Sequence, residues 1–197
     1  MTYGIEKFDS SRYGTSNHGV GMNTTFQDGI PMRGDLSIIV RDAKTGEVKR
    51  RIEIRNKITF LAADVLLELI AQRATDPAPA TNAIFSMRMG TSNTAASRAD
   101  TNLGAFVIGK ELADVDKVTG VPGELQFSAT LEAADANGST LQEAGLFTTG
   151  DAGTPTPSDT PGVAPGDPRM FARQIHPAII KSVAIAIEYS WRIAFTA

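Results

Sequence analysis

The chain has 197 residues, with 22 acidic against 19 basic side chains, a formal net charge of −3, two histidines and no cysteine. That length suits one main well-packed domain with appendages. The missing cysteines exclude a disulfide framework and thiolate metal sites, and the acidic balance gives no reason to expect nucleic acid.

His18 and His176 stand too far apart in sequence for a paired ligand motif. No stretch reads as a secretory leader or approaches the roughly 20 apolar residues of a membrane span. The expectation is a soluble protein made in a cytoplasm, with stability drawn from packing or from partner chains.

In Met1 to Gly34, glycines 4, 14, 19, 21, 29 and 34 are mixed with Ser, Thr and Asn, and the apolar residues Tyr3, Ile5, Phe8, Tyr13, Val20, Met22, Phe26 and Ile30 follow no period. Such a segment cannot make its own core. It carries too many aromatic and aliphatic residues for a solvent linker, so residues 1–34 read as an extended glycine-rich arm that orders against something else; the plain alternative is an unstructured terminus. Gly19-Val20-Gly21 lacks both a preceding strand and the third glycine of a dinucleotide fingerprint. Arg33-Gly34-Asp35 spells an adhesion tripeptide, a match so short that chance explains it.

The domain proper, residues 35–197, opens with Leu36, Ile38 and Val40, the turn Asp42-Ala43-Lys44-Thr45-Gly46-Glu47, and then Val48, Ile52 and Ile54, which predicts a β-hairpin. Arg41 to Lys57 holds seven basic residues against Asp42, Glu47 and Glu53; a solvated hairpin face accounts for them. A helix near 58–72 follows. Asn56 or Thr59 is placed to cap it, and Ile58, Leu61, Ala62, Val65, Leu66 and Leu69 recur at helical spacing. Leu67 and Ile70 widen the stripe so far that the helix should be covered on two sides. Pro77 and Pro79 then mark a loop.

Strands are predicted over 84–89, 105–112, 124–133, 141–148 and 170–175. Leu125, Phe127, Ala129 and Leu131 alternate with Glu124, Gln126, Ser128 and Thr130, and Asp135-Ala136-Asn137-Gly138 supplies a turn that predicts antiparallel pairing of 124–133 with 141–148. Residues 150–168 hold five prolines and four glycines, a composition for a long surface loop. From Lys181 to Thr196 the alternation is the cleanest in the chain: Val183, Ile185, Ile187, Tyr189, Trp191, Ile193 and Phe195 on one face, Ser182 to Ala194 on the other. The fold class is mainly β, an antiparallel β-sandwich with one flanking helix and an extended N-terminal arm.

No catalytic constellation stands out, so the catalytic, cofactor-binding and metal-ligating residues expected from the sequence are none. Asp114, Asp116 and Gly120 resemble a fragment of a calcium loop without its later acidic ligand, and read as a polar connection. Asn23-Thr24-Thr25 and Asn137-Gly138-Ser139 fit a glycosylation sequon but read as turn residues. His176, before Pro177, suggests a structural or interface role, and Tyr189 and Trp191 read as core rather than a sugar-stacking platform.

Three pieces, in order, carry a resemblance: Asn56-Lys57-Ile58-Thr59 opening an apolar helix; Met89-Gly90-Thr91-Ser92 with Asp100-Thr101-Asn102-Leu103; and Glu143-Ala144-Gly145-Leu146-Phe147. Over Asn56 to Ala197 the chain resembles tailed-bacteriophage structural proteins of the collar, tail-fibre and baseplate-associated kind that share a small β-sandwich. The resemblance implies a non-enzymatic virion protein, several copies of which assemble as a ring or trimer at the neck, tail or baseplate and bear or anchor fibres. Its partners would be copies of itself and adjacent virion proteins reached through the arm, with no nucleic acid, membrane, cofactor or small-molecule substrate. The alternatives are a capsid decoration protein or tail-tube subunit, and a carbohydrate-binding module for host glycans.

Overall fold

The computed structural model describes residues 32–67, 83–117, 123–149 and 167–195, arranged as nine strands and one short helix. The strands are β1 (Met32–Asp42), β2 (Val48–Ile58), β3 (Ile84–Gly90), β4 (Phe106–Glu111), β5 (Asp114–Lys117), β6 (Glu124–Leu131), β7 (Thr140–Thr148), β8 (Met170–Ile180) and β9 (Ile185–Phe195). All pairings are antiparallel, in the order β4-β3-β7-β8-β2-β1-β9-β6-β5. They form a β-sandwich: β2-β1-β9-β6-β5 is one layer and β4-β3-β7-β8 the other. Among the described residues, backbone pairing joins the two layers where Lys57 and Ile58 of β2 pair with Arg173 and Ala172 of β8.

Period-two alternation builds the core. Leu36 and Ile38 of β1, Phe127, Ala129 and Leu131 of β6, and Ile187, Tyr189 and Trp191 of β9 face Met87 and Met89 of β3 and Leu141, Ala144 and Leu146 of β7 in one buried cluster. Each large side chain removed from water in this way contributes about 1.5–3 kcal/mol. The β1–β2 turn is set by Asp42, whose Oδ1 accepts the amides of Lys44 (2.9 Å) and Thr45 (3.1 Å), while Gly46 takes φ of 72°. The hydrogen bond from Lys49, with those two amides, holds the Asp42 carboxyl well below the usual carboxylate range.

Several expectations change. β6 and β7 do not pair: β6 lies between β9 and β5, and β7 between β3 and β8. The turn signal encodes a reversal, but the connection over 132–139 is far longer than a two-residue hairpin loop and carries the chain from one layer to the other. Lys181 pins the crossing. Its amide donates to Ser139 O (2.9 Å), its carbonyl accepts from Gly138 (3.0 Å), and its buried Nζ reaches Ser182 O (3.0 Å), Ala133 O (3.3 Å) and Asn137 Oδ1 (3.4 Å).

The same anchoring shortens the last strand. Residues 181–184 turn, the Ile185 amide donates to Ser182 O (3.1 Å), and Val183 is 68% exposed, so β9 starts at Ile185. Thr196 lies outside the described residues. β8 runs past 175, through Pro177, to Ile180. Pro177 sits where β2 supplies no ladder partner, so its missing amide costs nothing there. Asp114 to Lys117, read as a loop, form the edge strand β5 on β6.

The first strand begins at Met32, so Met32 to Gly34 pair with Phe195 to Ile193 rather than belonging to the arm. Residues 1–31 and 150–166 lie outside the described residues. The helix α1 spans 61–67 as far as it is described, with Ile58 still in β2. Thr59 Oγ1 donates to Met170 O (2.6 Å) and lies 3.0 Å from Phe171 O, and Asn56 sits inside β2, so neither side chain caps the helix. Ala62 and Val65 are buried, whereas Phe60 just before α1 and Leu67 within it are 62% and 66% exposed. One face of α1 therefore packs on the sandwich rather than two.

Candidate functional site

The pieces read as separate motifs in the sequence come together on the outer side of the β3-β7-β8 layer. Glu143 on β7 has no exposed surface, and its carboxylate gathers five donors. Oε1 accepts the amides of Ala105 (2.8 Å) and Ser92 (3.2 Å); Oε2 accepts the Gly104 amide (3.0 Å) and Arg173 Nε (3.0 Å) and Nη2 (2.8 Å). Arg173 of β8 also donates through Nη1 to Asp100 Oδ2 (2.7 Å) and through Nη2 to Thr94 O (3.2 Å), and Asp100 accepts the Ser97 amide (2.7 Å). Residues 91–105 are thus strapped over the layer by one buried ion pair.

Glycines make room for the strap. A Cβ at Gly90 would collide with Ala105 O and Glu143 Oε1, and one at Gly104 would come within 2.5 Å of Ser92 Oγ. Leu103, Phe147 and Met170 form a second small core under it, with the Arg88 guanidinium 4.5 Å from the Phe147 ring centroid. Although burial opposes its charge, Arg173 is held more firmly protonated by Asp100 and Glu143. Four of the five guanidinium protons and both carboxylate oxygens are engaged, with the Arg173 and Glu143 side chains 3% and 0% exposed, so the constellation fastens a loop. Arg173 was not singled out in the sequence. The signal was present: Glu143 and Arg173 each interrupt an apolar run, and a charge in a buried strand requires a partner.

The remaining sequence features fall elsewhere. Arg33 and Asp35 pair with each other at 2.9 Å on β1, which takes the tripeptide out of any loop. In the basic hairpin, Lys49 pairs with Asp42 (2.7 Å), Arg41 with Glu188 (3.2 Å) and Arg51 with Glu53 (3.7 Å), a solvated face of mixed sign. Tyr189 and Trp191 are fully buried in the core. Among the described residues no cluster of His, Asp and Glu is arranged to hold a metal, and no helix is long and apolar enough to cross a membrane.

His176 lies at the seam where β8 diverges from β2, buried against Tyr189 with ring centroids 5.8 Å apart. Three side chains cover the carbonyls of β8 along that edge: Gln174 Nε2 donates to Ile175 O (2.8 Å), His176 Nδ1 lies 3.0 Å from Pro177 O, and Arg50 Nη1 donates to Ala178 O (3.2 Å). With Pro177 lacking an amide, the edge is closed to an added strand.

Burial, aided by the nearby Arg50 charge, holds the His176 pKa below its ordinary value, against the Pro177 carbonyl and Glu143. The folded protein therefore keeps His176 neutral while the unfolded chain takes up a proton near pH 6.5. Its contribution is whole above that pH and is lost as pH falls toward the depressed value, at up to about 1.4 kcal/mol per pH unit. His176→Phe is expected to flatten the fall in urea midpoint between pH 7 and 5 relative to the parent; equal slopes would exclude the assignment.

Two surface depressions are lined by described residues. The outer face of the β2-β1-β9-β6 layer carries a shallow trough of about 380 Å³ floored by Ser37 and Ser190 and walled by Asp35, Arg51, Glu188 and Arg192. No aromatic residue lines it, so it offers no stacking platform for a sugar ring. The second is a groove of about 550 Å³ beside the start of β1 and the end of β2, lined by Met32, Asn56, Ile58, Phe60 and Ala96 to Arg98. The Arg98 guanidinium stands 5.5 Å from the Phe60 ring centroid, and Arg98 O accepts the Phe60 amide (2.8 Å).

In comparisons with known proteins, no family model matches the chain, and no curated protein or solved structure matches it.

Proposed function

We propose that the chain is a non-enzymatic structural subunit of a tailed-bacteriophage virion, of the collar, tail-fibre or baseplate-associated kind, which assembles with copies of itself and with neighbouring virion proteins through residues 1–31. The observation that carries this reading is the convergence of the resembling segments on one buried clasp: Met89 to Ser92, Asp100 to Leu103 and Glu143 to Phe147 meet through Glu143 and Arg173, with Lys57 in register beside Arg173. Residues that share a fastening are constrained as a set by the fold, which is what ordered short motifs of small and apolar residues reflect. The exposed apolar side chains of Phe60 and Leu67 suit a subunit that completes its burial against neighbours.

Light scattering on the purified protein tests it. The full chain is expected to form a discrete oligomer, and a chain starting at Met32, where the first strand begins, to be monomeric yet folded. Monomers in both cases would remove self-assembly from the reading, and filaments of the full chain would favour a tail-tube subunit.

A further inference from the structure

We infer that Asn137 is a site of spontaneous covalent modification, deamidation by ring closure onto the Gly138 amide, and that Lys181 holds this site shut while the domain is folded. Asn137-Gly138 is the one Asn-Gly pair in the chain, and Asn137 is exposed on the connection between β6 and β7. A glycine after asparagine puts no side chain beside the attacking nitrogen, which makes the carboxamide labile. The fold favours glycine there, because Gly138 takes φ of 85°. A labile pair is therefore built into the stretch that carries the chain from one layer to the other.

In the reaction the Gly138 nitrogen gives its proton to a solvent base and attacks Asn137 Cγ. The Cγ–Nδ2 bond breaks, Nδ2 leaves as ammonia with a proton from water, and a cyclic imide closes; water then opens it to aspartate or isoaspartate. In the folded chain each reacting group is occupied. The Gly138 N–H donates to Lys181 O (3.0 Å), Asn137 Nδ2 donates to Ala133 O (2.9 Å), and Lys181 Nζ lies 3.4 Å from Asn137 Oδ1. Attack requires Gly138 to leave the Lys181 carbonyl and the carboxamide to turn away from Ala133, so it proceeds only from a locally opened state. The ammonium draws electrons from Cγ, but that pull is idle while the nucleophile is engaged.

Lys181 is well placed as the latch. It is 1% exposed, its Nζ also reaches Ser182 O (3.0 Å) and Ala133 O (3.3 Å), and its amide donates to Ser139 O (2.9 Å). Asn137 serves the latch in return, since a carboxamide offers a donor to Ala133 O and an acceptor toward Lys181, whereas the aspartate product has no donor for that carbonyl. Isoaspartate lengthens the main chain by a methylene within the connection between the layers. Deamidation thus loosens the crossing irreversibly, and the latch delays it for as long as residues 132–139 stay docked on Lys181.

Peptide mapping of the full-length chain during warm incubation at neutral pH tests this, with the same chain unfolded in guanidinium chloride as the reference. Conversion of Asn137 to aspartate plus isoaspartate is expected to be at least about tenfold slower in the folded chain, and Lys181→Met to recover most of the unfolded rate while keeping the far-UV spectrum of the parent. Glu143→Ala separates the latch from general loss of stability: it touches none of these groups and should leave Asn137 at the parent's rate while it stays folded. Equal rates in the folded and unfolded parent would overturn the proposal. So would a Lys181→Met rate no faster than the parent's, or a Glu143→Ala rate that matches Lys181→Met. Hydrogen exchange at Gly138 in the parent keeps the test independent of whether Lys181→Met folds: the amide should be protected, and an unprotected Gly138 would mean that no latch exists.

Discussion

Replacing Glu143 with alanine is expected to lower the unfolding free energy by about 3–5 kcal/mol, the usual consequence of breaking a buried ion pair from one side. Small domains have only about 5–15 kcal/mol to lose. The substitution strands four groups at once. Arg173, 3% exposed at its side chain, would keep only Asp100 and the Thr94 carbonyl. The amides of Ser92, Gly104 and Ala105 would lose their acceptor beneath the strap. Urea unfolding gives the magnitude, and hydrogen exchange localises it: those three amides should lose protection first. Arg51→Ala, which breaks a pair with both side chains more than half exposed, should cost less than about 0.5 kcal/mol. A loss for Glu143→Ala no larger than that of Arg51→Ala would show that the carboxylate does not hold the strap.

How far the sequence reaches is clear from where it succeeds. Period-two runs located the strands, because alternation reports burial directly: Phe127, Ala129 and Leu131 read as one face of β6 and are buried as one face. Pairing was less legible. Asp135 to Gly138 signals a reversal, and Gly138 does take φ of 85°, but nothing local states whether the next strand returns beside β6 or crosses to the other layer. That choice is made by Lys181, more than forty residues away, whose Nζ gathers the carbonyls of Ala133 and Ser182. The same lysine broke the predicted sixteen-residue strand, since a buried ammonium stands where the alternation had continued into the turn. The clasp was visible as motifs and invisible as a site, because its partners, Glu143 and Arg173, are joined across two strands. The groove left no signal at all, being composed of ordinary residues from three separate stretches.

The glycines offer the sharpest test of the strap's geometry, because they separate crowding from backbone conformation. Gly90→Ala is expected to cost about 3 kcal/mol, the upper end for forcing atoms into a packed interior. Its new methyl group would meet Ala105 O and Glu143 Oε1, a backbone carbonyl and the buried carboxylate of the clasp, neither of which can swing away. Gly46 and Gly138 differ in kind: a Cβ there meets nothing within 4 Å, and only the positive φ of 72° and 85° opposes it. Alanine at either should cost about 1 kcal/mol, the ordinary penalty of the left-handed region. Gly145→Ala falls between, its methyl group 2.9 Å from the Phe147 ring and 3.1 Å from Ala172 O. Urea midpoints for the four variants should therefore fall in the order Gly90 lowest, then Gly145, then Gly46 and Gly138 together. If Gly90→Ala matched the two turn variants, residues 91–105 would have to lift from β3 at little cost, and Glu143 would then be fastening a strap that the fold does not need.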